Sequence, residues 1–158
     1  MLVAGAVFAQ QHATSIDVPT GQRALLQAKG EGFQIYTCAH TPRSEMWMLK
    51  APDAKLLDAS GKVIGRHFAG PTWELADGGE VQGELIASRR APDPDSAAWL
   101  LLGAKPGTAS GSLATIDFIR RTDTHGGAAA SSGCQTEADI GKTDRVPYTA
   151  TYTFYAPQ

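Results

Sequence analysis

The segment Val146–Tyr155 constrains this chain more than any other. Val146, Tyr148, Ala150, Tyr152 and Phe154 alternate with Thr149, Thr151 and Thr153. A period of two sends successive side chains to opposite faces, so the spacing predicts a strand whose even positions are core. Shorter alternations recur at Leu25–Ala28, Phe33–Cys38, Met46–Leu49, Trp99–Leu102 and Leu113–Arg120, with turn signals roughly every 8 to 12 residues. Helical periodicity is nearly absent. The pattern predicts an all-β chain, an antiparallel β-sandwich or flattened barrel.

The 158 residues and 42% hydrophobic content suffice for one core. A formal net charge of -2 provides no basic field for a phosphate backbone, which excludes nucleic acid as the expected partner. No window reaches the apolar run of about 18 residues that a membrane span needs. Residues 1–9 are small and apolar and end in Val7-Phe8-Ala9, which reads as the remnant of a signal peptide cleaved before Gln10. Residues 10–158 then form a single β domain, expected outside the cell or in the periplasm. In an oxidising compartment the two cysteines, Cys38 and Cys134, make a natural disulfide.

Turn chemistry in the middle of the chain predicts a four-strand meander. Ala59-Ser60-Gly61 suits a three-residue hairpin loop that sets Leu57 opposite Val63 and Leu56 opposite Ile64. Asp77-Gly78-Gly79 repeats the device and sets Leu75 opposite Val81, Glu74 opposite Gln82 and Trp73 opposite Gly83. A two- or four-residue turn around Gly70-Pro71 sets Phe68 opposite Trp73 and His67 opposite Glu74. Leu56, Ile64, Phe68, Trp73, Leu75, Val81 and Leu85 then share the core face, with Arg66 out of place. Asp53, His67, Glu74 and Gln82 form one row on the other face. Residues 122–145 are rich in Gly, Ala, Ser and Thr and read as a long loop, with Cys134 at its middle.

Several stretches together resemble a family catalogued as domain of unknown function 3455, found in exported bacterial and fungal proteins. They are Gly32-Phe33-Gln34-Ile35-Tyr36-Thr37-Cys38, Ala51-Pro52-Asp53-Ala54, the block from His67 to Glu74, Trp99-Leu100-Leu101-Leu102 and Val146-Pro147-Tyr148-Thr149-Ala150. The resemblance implies export and supports the pairing of Cys38 with Cys134. It implies no accepted activity. Fungal relatives sometimes carry a malate dehydrogenase label, but the G-x-G-x-x-G turn and alternating strands and helices that hold a dinucleotide are missing here.

The candidate site is the row Asp53, His67, Glu74 and Gln82, with His125 on the Gly-rich segment as a second imidazole roofing it. Carboxylates flanking His67 suit acid–base work or a metal. The same residues also read as an ordinary charged sheet face, where a cross-strand ion pair is worth only about 0.2 to 1 kcal/mol. Cys38-Ala39-His40 has metal-ligand spacing, but the disulfide is the better use of the thiol. Trp47, Trp73 and Trp99 read either as core or as an aromatic platform for a polysaccharide. No cofactor is called for. The sequence reads as an exported ligand-binding or structural module whose partner is a small molecule or polysaccharide, with an enzyme or metal protein built on His67, Glu74 and Asp53 as the alternative.

Overall fold

The computed structural model describes residues 15–158. The signal-peptide expectation for residues 1–9 lies outside the described residues. The strands are β1 (Gln22–His40), β2 (Glu45–Leu57), β3 (Val63–Phe68), β4 (Thr72–Leu75), β5 (Glu80–Arg89), β6 (Trp99–Ala104), β7 (Phe118–Gly126) and β8 (Thr143–Pro157). Each pairs antiparallel with its sequence neighbours, and β8 pairs with β1 to close the barrel. Among the described residues closure leaves no unpaired sheet edge. Among the described residues no helix is long and apolar enough to cross a membrane.

The predicted strand Val146–Tyr155 lies within β8, and Tyr148, Ala150, Tyr152 and Phe154 are buried inside the barrel. These large residues are accommodated because the facing strands contribute small ones. A Cβ at Gly30 would lie 2.5 Å from the Tyr152 ring, and one at Gly83 would lie 3.0 Å from the Trp73 ring. The same economy explains β1, which turns Ala28 and Gln34 inward and leaves Phe33 half exposed on the outside, beneath the Arg145 guanidinium. Leu113 and Ile116, from the β6–β7 connection, join the interior cluster of Leu56, Val81, Ile119 and Phe154. The stretch from Leu113 predicted as strand begins instead with a 3-10 turn at Gly111–Leu113, and the ladder starts only at Phe118. A second cluster sits on the outer wall, where Ile16 packs with Ala87 and Leu101.

The central meander exists, but β3 is turned over relative to the predicted register. Leu57 faces Val63 as expected, then a bulge displaces Ile64 so that Leu56 faces Gly65 and Ala54 faces His67. On the other side, Phe68 pairs with Thr72 across a three-residue turn, which sets His67 opposite Trp73 and Arg66 opposite Glu74. An odd shift sends every side chain of a strand to the other face. His67 therefore points inward, Phe68 and Arg66 point outward, and Arg66 no longer breaks any pattern. The β4–β5 hairpin is displaced by an even step, with Trp73 facing Val81 and Thr72 facing Gln82, so those faces are kept. Leu85, assigned to the core, lies beside a bulge in β5 and is 63% exposed.

Cys38 and Cys134 form a disulfide with Cα atoms 5.5 Å apart. Strand β7 runs on to Gly126 and β8 starts at Thr143, so the long loop is 127–142, shorter than the sequence suggested. It is tied to β1 and β2: Tyr36 Oη donates to the Gly127 carbonyl, Trp47 Nε1 donates to the Ser132 carbonyl, and Cys38 N donates to the Lys142 carbonyl. Replacing both cysteines by serine is expected to cost about 2 to 4 kcal/mol in urea unfolding. Hydrogen exchange should rise first in 127–142, because its remaining ties are few and peripheral. Two reactive thiols in unfolded, unreduced protein would overturn the pairing.

Candidate ligand-binding site

The row foreseen on one sheet face is not assembled. Asp53 lies outside the barrel, where its Oδ2 accepts a hydrogen bond from Arg145 Nη2 at 2.9 Å. Glu74 is also outside and accepts from Arg66 Nε at 3.1 Å. Gln82 sits opposite Thr72 on β5. His125 faces Thr149 and borders a separate outer groove with Phe33 and Lys55. His67, only 3% exposed, is the one member inside. The Gly-rich segment does not roof the site, since it docks on Tyr36, Cys38 and Trp47. Among the described residues no three His, Cys, Asp or Glu side chains gather where they could hold a metal ion, which corrects the metal reading. The tryptophans form no common platform: Trp73 is interior, Trp99 packs in the outer cluster and Trp47 holds the loop at Ser132.

His67 borders a half-open cavity of about 220 Å³ that runs into the barrel beside the β3–β4 turn, with the exposed Leu49 and Lys50 on its rim. Eight strands give an interior just wide enough to be filled by side chains or to hold one small ligand. Here the filling is incomplete. The apolar part of the wall comes from Leu49, Ala51, Pro52, Leu100 and Leu102, with Pro71 in the turn. The polar part comes from Gln34, His67, Trp73, Arg121 and Tyr152, with Lys50 exposed.

His67 is held by its surroundings in one protonation state. Its ring stacks on Trp73 at 4.5 Å between centroids and meets Tyr152 at 4.9 Å. Nδ1 lies 2.9 Å from the Thr72 carbonyl, which can only accept, so Nδ1 carries the proton and Nε2 is left as an acceptor. Burial drives its pKa down to about 3, the Thr72 bond opposes that shift and the nearby Arg121 charge adds to it. The imidazole is therefore neutral at ordinary pH.

Arg121 enters from β7, opposite Leu100 on β6 and Tyr152 on β8. It is 8% exposed, and both Nε and Nη2 donate to the Ala98 carbonyl, at 2.9 and 2.7 Å. Among the described residues it has no carboxylate partner within ion-pair distance. Two further wall residues carry buried polar atoms without a protein partner, Gln34 Oε1 and Trp73 Nε1. Tyr148 and Tyr152 share a hydroxyl–hydroxyl bond of 2.9 Å, and burial raises the pKa of both phenols.

Sequence reasoning missed Arg121 and Gln34. The signal for Arg121 was present in Ile119-Arg120-Arg121, because alternation from an inward Ile119 carries Arg121 inward. Gln34 gave no such signal, since the apolar Phe33 and Ile35 pointed to the opposite face as core.

The fold and cavity define a closed eight-stranded antiparallel barrel with a partly polar interior chamber. A family model described as protein of unknown function (DUF3455) matches residues 19–156, nearly the whole barrel, and the chain belongs to that family. No curated protein and no solved structure matches the chain.

Proposed function

We propose that this protein is an exported binding module that holds a small organic molecule inside the barrel. One observation carries the reading: an incompletely filled interior cavity whose wall includes polar groups lacking protein partners. Buried polar groups are normally satisfied, and leaving one unpaired costs about 1 to 3 kcal/mol. A ligand that fills the chamber supplies both the missing apolar contacts and the missing hydrogen bonds. Mostly apolar walls with a few convergent polar groups are the usual make-up of a small-molecule site. The buried disulfide supports an oxidising location.

Binding is favoured over acid–base chemistry because the carboxylates once placed beside His67 are engaged by Arg66 and Arg145 outside the barrel. Among the described residues the cavity wall contains no Ser, Thr, Cys, Asp or Glu. His67 is there as a fixed acceptor and a flat wall.

Native mass spectrometry of the protein purified from its own host tests the proposal. A retained small molecule that is released on unfolding is expected. A Leu100→Trp variant, whose larger side chain stands opposite Arg121 and fills the chamber, should fold with the same circular dichroism and emerge without it. A bare mass for the parent protein after gentle handling, or equal retention by the filled variant, would overturn the reading.

A further inference from the structure

The guanidinium of Arg121 is the group in this chamber whose burial is hardest to account for by the protein alone. An arginine does not escape burial by losing its proton, so a charge placed in the interior stays charged. Such a charge is strongly unfavourable unless an opposite charge or several hydrogen bonds compensate it. The Ala98 carbonyl occupies the edge formed by Nε and Nη2, the neutral Tyr152 hydroxyl is the other protein oxygen beside the guanidinium, and neither supplies a negative charge. Among the described residues no Asp or Glu lines the cavity, and the other cation in its wall, Lys50, is exposed. The chamber thus has a fixed buried positive charge, no negative one, and a largely apolar remainder.

We infer that the chamber takes an organic carboxylate, with the anionic head on Arg121 and the apolar body against Pro52, Leu100, Leu102 and Trp73. This rests on the reading of the barrel as a binding module. A single buried guanidinium matches a monoanion in charge, and its planar fork matches a carboxylate in geometry. A dianionic head would place a second charge against leucine and proline walls without a buried partner. The volume of about 220 Å³ suits a short aliphatic chain or one aromatic ring.

The test compares head groups on the same body. Hexanoate, octanoate and benzoate are titrated calorimetrically into the whole protein, alongside hexanamide, octanamide and benzamide. At least one carboxylate should bind better than its amide by on the order of 10- to 100-fold, the value of a hydrogen-bonded charge over a neutral group. In Arg121→Gln the carboxylate should lose that advantage while the amide keeps its affinity. Lys50→Gln should change little.

Each outcome has a separate meaning. Equal binding of acid and amide by the parent protein overturns the carboxylate inference and leaves the binding module standing. Binding of neither head group by any body overturns the module itself. If Arg121 serves only to hold Ala98, Arg121→Gln should weaken acid and amide alike, and that too overturns the inference. The parent comparison needs no variant, so the inference is falsifiable even if Arg121→Gln folds poorly.

Discussion

Trp73→Ala is expected to lose about 3 to 5 kcal/mol of unfolding free energy, as truncation of a fully buried aromatic does. Trp73 is 1% exposed, faces Val81 across β4–β5, stacks on His67 and meets Tyr152 and Phe154 edge-on at 5.6 and 6.0 Å. It also walls the existing cavity. Removing the indole merges new empty space with old, and strands held on both sides by ladders cannot collapse to fill it. Phe68→Ala is the control, because Phe68 is outward, half-buried and covered by Arg66 at 4.5 Å. It should cost only about 1 kcal/mol. Urea unfolding with an unchanged m-value measures both. A Trp73→Ala loss below about 1 kcal/mol, or similar losses in the two variants, would mean that β3 does not sit as described.

Strand β8 was legible because its alternation is long and its threonines mark the opposite face. The disulfide was legible because two cysteines leave one pairing. The site was not legible, and β3 shows why. Ile64 packs against the core from the bulge as its hydrophobicity suggests, but Phe68 is more hydrophobic than His67, so pattern alone places Phe68 inward in its stead. A bulge at Ile64 and a three-residue turn at Ala69-Gly70-Pro71 each shift the register by an odd step, and together they turn the strand consistently on both sides. The interior accepts this because β4 and β8 already supply its bulk. What remains opposite them is room for a glycine and a flat ring. A Cβ at Gly65 would fall 2.3 Å from the Glu74 carbonyl oxygen, so that position admits little else. Gln34 was hidden because its neighbours Phe33 and Ile35 are the apolar residues of that stretch of β1, and alternation from them marks the outer face as core.

His67 also makes stability depend on pH in a window where few other groups titrate. In the unfolded chain an imidazole takes up its proton near pH 6.5, whereas in the folded protein burial delays protonation to about pH 3. The sign follows from which state binds more protons. Above pH 6.5 both states are neutral at this site and the contribution of His67 is fully retained. As pH falls below 6.5 the unfolded state gains a proton that the folded state refuses, and stability declines by about 1.4 kcal/mol per pH unit. From pH 7 to pH 4.5 the loss from this residue is expected to be about 2 to 3 kcal/mol. The carboxylates with lowered pKa values, at Glu45, Asp58, Asp77 and Asp139, stay ionised through this range because hydrogen bonds hold them below their ordinary values. Their own contributions are lost only at lower pH. His67→Gln keeps a polar side chain at the position and removes the imidazole, so its urea midpoint should be much flatter between pH 7 and pH 4.5, whatever its absolute stability. The proton taken up on unfolding can be counted independently from the slope. An unchanged slope in His67→Gln would show that His67 titrates freely, and so that its ring is not enclosed between Trp73 and Tyr152.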